Sequence, residues 1–387
     1  MIGAIRMTLE ETRERIDAVD AQLLALFNER LDLAADVAAA KRAMGKAIYD
    51  PVRERQKLYG LAQAAEDTRQ AQTVSFFSLL MSMSKAEQAR LLSRNDPASP
   101  SHSVRAAFEE VDAPFPAAAT VACQGVEGAY SQIAATCLFS VPAISFFTTF
   151  EGVFRAVRDG FCEYGVLPIE NSTAGSVNAV YDLLSEYGFT IVRSLRLKID
   201  HNLMAIPGAR LEDIREVFSH EQALGQCTGY LEGLGLHANV CENTAMAAEM
   251  VAPSGRGDWA ALASRSAAKL YDLQILDEDV QDSDNNYTRF VVISAIPKIY
   301  PGANRTSLML TLKHEPGSLY HVLERFYALD INLVKLESRP IRGRDFEFSF
   351  YFDVESPVGS TAFLELMDSL PSVCASCQYL GSYQELL

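Results

Sequence analysis

Two cations raise the first chemical question. Arg30 interrupts a run of apolar residues, Ile16, Val19, Leu23, Leu26, Leu33 and Val37, that steps by threes and fours. Lys41 follows 11 residues later, about three helical turns on, so both cations point to one side of a helix. A cation held in an apolar seam is costly unless an anion meets it. Two aligned cations facing inward suit a dianion. The alternative is a pair of snorkelling surface groups neutralised by Glu29 or Asp36. Arg13 lies 17 residues before Arg30, about 100° away around the helix, a poor position for sharing the site within one chain, and an antiparallel partner helix could bring it over. Asp50, Arg53 and Glu54 cluster at the start of a second helix, and Ser84 and Gln88 share a face of a third at i,i+4.

A second concentration of polar groups is VLPIENSTAGSV, residues 166–177. A short apolar strand passes through Pro168 into Glu170, Asn171, Ser172 and Thr173, and a helical pattern opens at Val177. A helix N-terminus fronted by amide, hydroxyl and glycine groups is an anion receptor, with an ordinary capped turn as the alternative. Further polar segments are Gly125, Gly128, Tyr130 and Ser131; Ser219, His220, Gln222 and Gln226; Glu242, Asn243 and Thr244; and Tyr287, Thr288, Arg289 and Phe290. Glu170 and Glu242 either orient their neighbours or cap turns, and His220 is either an acid or structural. A third group pairs Gly317, Ser318 and Leu319 at a helix start with Glu337, Ser338 and Arg339 after a strand.

The elements that must hold these residues are legible from periodicity. Thr8 and Glu11 form a capping box for a helix of more than 30 residues that Gly45 ends. Asp50 and Pro51 open a second helix, and residues 72–93 form a third. One long helix and two shorter ones have little core of their own, so residues 1–94 are expected to pair with another chain. Residues 95–118, rich in Pro, Ser and Ala, read as a linker. In residues 119–298, β-type runs alternate with helical stretches in an α/β pattern, with polar turns where open parallel sheets bind ligands. Residues 304–387 read strand, helix, strand, strand, helix, strand, a ferredoxin-like βαββαβ module. The expected fold class is therefore multidomain: all-α helices, an α/β domain and a ferredoxin-like module.

Composition bounds the partners. The 387 residues exceed the roughly 250–300 at which one core usually divides. A net charge of −16 argues against nucleic acid and anionic membranes, yet residues 1–95 carry 14 Lys and Arg against 13 Asp and Glu. The cations are thus retained where the helices are. No apolar run approaches the roughly 18 residues of a membrane span, and no export signal opens the chain. The seven scattered cysteines include one CxxC, Cys374 and Cys377, without the further ligands a zinc site needs. The expectation is a cytoplasmic protein with reduced thiols, no metal and no cofactor.

Arg13, Arg30, Lys41, Asp50, Arg53, Glu54, Ser84 and Gln88 resemble, in residue type and spacing, the site of the all-helical chorismate mutases. That resemblance implies an intertwined dimer, with Arg13 crossing into the partner's site. It also implies that Lys41 and Gln88 donate to the ether oxygen while Glu54 accepts from the ring hydroxyl. Chorismate is a dicarboxylate and its Claisen rearrangement needs neither nucleophile nor proton transfer. The protein has only to hold a chair-like conformer and stabilise charge on the breaking ether.

The segments GxxGxYS, PIENS, SHxQ and TRF, in order, resemble the prephenate dehydratases. The family implies two α/β lobes with a cleft between them and loss of carbon dioxide and hydroxide from prephenate to give phenylpyruvate. By resemblance Thr288 assists the leaving hydroxide, while Glu170, Asn171, Ser172, Thr173, Ser219, Gln226, Glu242 and Arg289 are candidates for holding prephenate. Gly317, Ser318 and Leu319 with Glu337, Ser338 and Arg339 resemble the phenylalanine-binding segments of regulatory ACT domains, with GSL where GAL is usual. Together these imply a bifunctional enzyme of phenylalanine biosynthesis, inhibited by phenylalanine, forming a homodimer or a tetramer. A dehydrogenase in the second domain would need GxGxxG, whereas Gly125 and Gly128 form GxxG. A two-lobed amino-acid sensor with dimerising helices would place Leu or Ile at Arg30.

Overall fold

The structure, a computed structural model, describes residues 7–46, 50–93, 99–109, 113–341 and 347–387. Three helices come first: α1 (Leu9–Ala43), α2 (Pro51–Ala64) and α3 (Gln70–Ser93). The Thr8 hydroxyl accepts from the Glu11 backbone N–H, and the Glu11 carboxylate accepts from the Thr8 N–H at 2.7 Å, closing the capping box. The seam behaves differently from its pattern. Ala34 and Ala38 are buried, and Arg30 and Lys41 are half-buried, whereas Ile16, Val19, Leu23, Leu26, Leu33 and Val37 are 42–62% exposed. Arg30 therefore lies on the stripe facing α3, and the apolar seam runs alongside it with nothing among the described residues to cover it. Every residue from 8 to 26 is exposed.

The stretch read as a linker is not merely connecting chain. It contains α4 (Pro100–Glu109), whose Val104 and Ala107 enter the core of the C-terminal module. Ser101 donates to Asp368 through both its backbone N–H and its hydroxyl, at 3.2 and 2.9 Å. An amphipathic ten-residue segment between prolines was hidden by their composition.

The first α/β lobe comprises β1 (Ala118–Gln124), α5 (Tyr130–Leu138), β2 (Val141–Phe147), α6 (Phe150–Arg158), β3 (Tyr164–Asn171), β4 (Gly175–Ser176), α7 (Asn178–Tyr187) and β5 (Thr190–Lys198). The second runs through β6 (Asn202–Ala205), β7 (Glu216–His220), α8 (Glu221–Gly225), α9 (Thr228–Leu234), β8 (His237–Cys241), α10 (Thr244–Val251), β9 (Trp259–Ala263), α11 (Arg265–Leu270) and β10 (Gln274–Asp277). The chain then returns to the first lobe through β11 (Tyr287–Ser294). The return strand inserts between β5 and β3, antiparallel to both, so the sheet is mixed rather than open and parallel. The second lobe has the order β10-β6-β9-β7-β8.

The C-terminal residues form β12 (Arg305–Thr311), α12 (Ser318–Ala328), β13 (Asn332–Pro340), β14 (Phe348–Glu355), α13 (Thr361–Ser369), β15 (Ser376–Tyr383) and β16 (Glu385–Leu386). Strands β13-β14-β12-β15 make an antiparallel sheet. One face packs Leu308, Leu310 and Phe352 against its helices, while the other presents Tyr351, Leu380 and Tyr383 to the core of the first lobe. The last strand leaves the module altogether, since β16 pairs with β5 as an edge of the first-lobe sheet. Close approach of β15 to β5 requires Gly381: its φ is 129°, and a Cβ there would overlap the Ile191 backbone.

Candidate active sites

In the helical unit, Arg30 donates to the Leu80 carbonyl at 2.7 Å and to the Ser84 hydroxyl. Ser84 in turn donates to the Leu80 carbonyl at 3.1 Å. Burial pulls the Arg30 pKa below its usual value, as expected for a guanidinium turned inward towards neutral acceptors. One turn beyond Ser84, Gln88 is buried and its Oε1 has no hydrogen-bond partner. A buried amide with an unmet acceptor is uncommon away from sites that receive a ligand. Glu54 is engaged by Lys85 at 3.0 Å, a residue the spacing argument passed over although it adjoins Ser84. Asp50 caps α2 by accepting from the Arg53 N–H at 3.1 Å, and both residues are exposed. Arg13 stands on the exposed half of α1. Within one chain, then, Arg30, Ser84 and Gln88 share the α1–α3 face, and Arg13 does not join them.

The second site is a cleft of about 520 Å³ between the two lobes. From the first lobe it takes Tyr130, Ser131, Pro168, Asn171, Thr288 and Phe290; from the second, His201, His220, Gln222, Gln226, Glu242, Asn243 and Thr244. Asn171 organises it. Its Oδ1 accepts from the backbone N–H groups of Thr173 (3.0 Å) and Ala174 (2.9 Å), an Asx-turn. Because those backbone groups can only donate, the amide orientation is set, and Nδ2 must face Thr288 Oγ1 (2.9 Å) and Asn286 Oδ1 (2.9 Å).

A directed chain of hydrogen bonds leads into this amide. His201 Nε2 contacts Gln226 Oε1 at 2.9 Å, and Gln226 Nε2 donates to Thr173 Oγ1 at 2.8 Å. The Thr173 hydroxyl donates to Asn171 Oδ1 at 2.7 Å. With its oxygen as the acceptor, Gln226 requires the proton on His201 Nε2. The buried Nδ1 is left without a partner, and burial lowers the His201 pKa against the opposing pull of Gln226 and Asp200. His201 and Asn286 were missed in the sequence; each sits one or two residues from a strand end, and Asn286 directly precedes the TRF-containing run.

Several expected prephenate ligands lie elsewhere. Glu170 pairs with Arg289, and Asn171 with Thr288, across the β3–β11 ladder. Alternation therefore sends Asn171 and Thr288 into the cleft and Glu170 and Arg289 to the reverse face. Arg289 there donates to Asp353 at 2.6 Å and lies 3.5 Å from Glu170. Burial opposes its charge, and Asp353, aided by Glu170, more than offsets this, so its pKa is raised. Ser172 is occupied as a pin, donating to the Asn285 carbonyl and accepting from the Tyr287 N–H. Ser219 is wholly buried and donates to the Leu262 carbonyl at 2.6 Å, tying β7 to β9. Of the polar groups at the mouth of α7, Thr173 serves the Asn171 network, and the N-cap Val177 offers no side-chain cap.

In the C-terminal module, Ser318 and Leu319 line a pocket of about 370 Å³ with His314, Phe348 and Phe350, and Gly317 (φ 84°) begins α12. Ser338 lies opposite Phe350 in the ladder. Glu337 and Arg339 point the other way: Glu337 accepts from Ser176, and Arg339 forms a two-pronged pair with Asp182 of α7. Within one chain Ser338 therefore shares the face of Ser318 and Leu319, while Glu337 and Arg339 lie on the opposite side of the sheet.

Residues 12–89 match the chorismate mutase type II family and residues 121–298 the prephenate dehydratase family. Over 381 residues the chain is 32% identical to a bifunctional chorismate mutase/prephenate dehydratase of Enterobacter agglomerans, covering 96% of this chain and 94% of that one. An arogenate dehydratase/prephenate dehydratase of Arabidopsis thaliana is 40% identical over 279 residues, covering 68% of this chain and 72% of the relative. A prephenate dehydratase from Arthrobacter aurescens in complex with L-Phe superposes with a TM-score of 0.62 at 25% identity, covering 68% of this chain and 89% of that one. The chain belongs to the family of bifunctional chorismate mutases/prephenate dehydratases, with both enzymatic domains present.

Proposed function

We propose that the α1–α3 face carries the rearrangement and the interlobe cleft the dehydration, with Thr288 as the group that assists the departing hydroxide. The observation that carries the dehydratase assignment is the Asn171 to Thr288 hydrogen bond. Since the amide donates, Thr288 Oγ1 is the acceptor and its own proton is free to point into the cleft. A hydroxyl that accepts a hydrogen bond is also a better donor, through polarisation along the chain. Prephenate loses carbon dioxide as electrons flow into the ring and hydroxide leaves, and aromatisation supplies the driving force. The enzyme has only to orient the substrate and solvate the leaving oxygen. Asn171, Gln226 and Glu242 line or support that space.

For the rearrangement, Arg30 holds a carboxylate, Lys41 and Gln88 donate to the ether oxygen, and Glu54 accepts from the ring hydroxyl. Arg13 completes the site from a second copy of the chain. The exposed seam Ile16, Val19, Leu23, Leu26, Leu33 and Val37 supports this homodimer, because a continuous apolar stripe on one helix is stable in water only when another surface covers it. The C-terminal βαββαβ unit is read as an ACT domain that binds phenylalanine across a C-terminal dimer through Gly317, Ser318, Leu319, Glu337, Ser338 and Arg339 and lowers dehydratase activity. The neighbouring structure that holds L-Phe supports this reading. Nothing in either reaction requires a cofactor, and the setting is taken as the cytoplasm.

The test feeds the purified full chain chorismate and then prephenate, with and without L-phenylalanine. Prephenate and phenylpyruvate are expected in turn, with the second step slowed by phenylalanine. Thr288→Ala is expected to keep the first step and lose the second; an unchanged second step removes Thr288 from the mechanism.

A further inference from the structure

Behind the catalytic pair, the two strands are gripped by the C-terminal module. Glu170 and Arg289 adjoin Asn171 and Thr288, are paired with one another in the ladder, and face away from the cleft. Each meets an opposite charge from the same module: Lys335 of β13 reaches Glu170 at 3.1 Å, and Asp353 of β14 reaches Arg289 at 2.6 Å. Asp353 is itself held by the Ser307 hydroxyl, which is joined to Tyr383. The ladder between β11 and β3 slips between Arg289 and Phe290, where the extra residue Ile169 makes a bulge on β3 that lets Pro168 and Asn171, three residues apart, both line the cleft. A bulge interrupts the regular backbone bonds, so its geometry depends on other anchors.

We propose that Lys335 and Asp353 are positioning residues for prephenate dehydration, clamping Glu170 and Arg289 from behind so that Asn171 and Thr288 keep their alignment. This rests on the reading of Thr288 given above. It also supplies a mechanical route for regulation. Lys335 lies two residues before Glu337 on β13 and contacts it at 3.2 Å, so a shift of that strand moves the clamp directly. Neither residue touches the cleft, and the mutase helices carry no part of the clamp.

The experiment compares Lys335→Met, Lys335→Arg and Asp353→Asn in the full chain, with Thr288→Ala alongside. A small misplacement of reacting groups is costly, so Lys335→Met and Asp353→Asn are expected to lower kcat for prephenate by about tenfold or more. KM should stay within about twofold, mutase turnover should be unchanged, and Lys335→Arg should restore kcat. If Asp353→Asn fails to fold, Lys335→Met decides alone, because Lys335 is at the module's edge strand. Wild-type kcat in Lys335→Met, or parallel loss of kcat, KM and mutase turnover, overturns the clamp. If Thr288→Ala retains full activity, it is the Thr288 reading that fails, a result distinct from failure of the clamp alone.

Discussion

Asn171 donates from Nδ2 to Thr288 Oγ1 at 2.9 Å while its Oδ1 is bound by the backbone N–H groups of Thr173 and Ala174. The Asx-turn thus dictates the direction of that bond. Asn171→Asp reverses it, because a carboxylate can only accept and the Thr288 proton then turns towards it. Loss of a positioned donor of this kind costs about 10²–10⁴-fold, so prephenate turnover is expected to fall by about that factor. Mutase turnover measured on the same preparation should not change.

The mutase site carries an independent prediction. Gln88 is buried with an unmet acceptor, and Lys41 lies half-buried on the same helix stripe as Arg30. Removing an electrostatic donor to the developing charge costs on the order of 10²–10³ in kcat, so Lys41→Ala is expected to abolish most chorismate turnover. Conversion of added prephenate, followed by phenylpyruvate appearance, should remain near wild type. Joint loss of both activities in a folded protein would falsify the partition of the sites.

Gly381→Ala tests how the C-terminal module docks. A Cβ at this position overlaps the Ile191 backbone, and the residue already has φ 129°. Overpacking of this kind typically costs about 1–3 kcal/mol, and the strained backbone adds to it. The thermal midpoint should fall, and dehydratase turnover with it, because β5 adjoins β11. Gly359→Ala, with open space around its Cβ position, serves as the control and should shift stability by less than about 0.5 kcal/mol.

His201 supplies the pH prediction. Burial depresses its pKa below the ordinary 6.5, opposed by Gln226 and Asp200. The unfolded chain therefore takes up the proton first. The stabilisation from the neutral ring is present above pH 6.5 and is lost as pH falls through the folded-state value. Unfolding midpoints of wild type and His201→Gln, followed from neutral to mildly acidic pH, should converge as the solution is acidified. Parallel curves would show that His201 is protonated equally in both states.

Much of the chemistry was written locally. The capping box at Thr8 and Glu11, the pairing of Asp50 with Pro51 and the strand–helix alternation of the C-terminal module depend on contacts a few residues apart, and periodicity reports them. The motifs around Asn171 and Thr288 were legible for the same reason, as were Arg30, Ser84 and Gln88. Tertiary structure decided which way neighbouring side chains point. A strand sends adjacent residues to opposite faces, so Glu170 and Arg289, one position from Asn171 and Thr288, serve the reverse side. The helix within the proline-rich segment and the return of β16 to the first sheet were likewise settled by distant partners. Residue type and spacing determined that this chain carries a mutase helix set and a dehydratase cleft. Which groups enter that cleft, and which grip it from behind, followed only from pairing strands more than 100 residues apart in the chain.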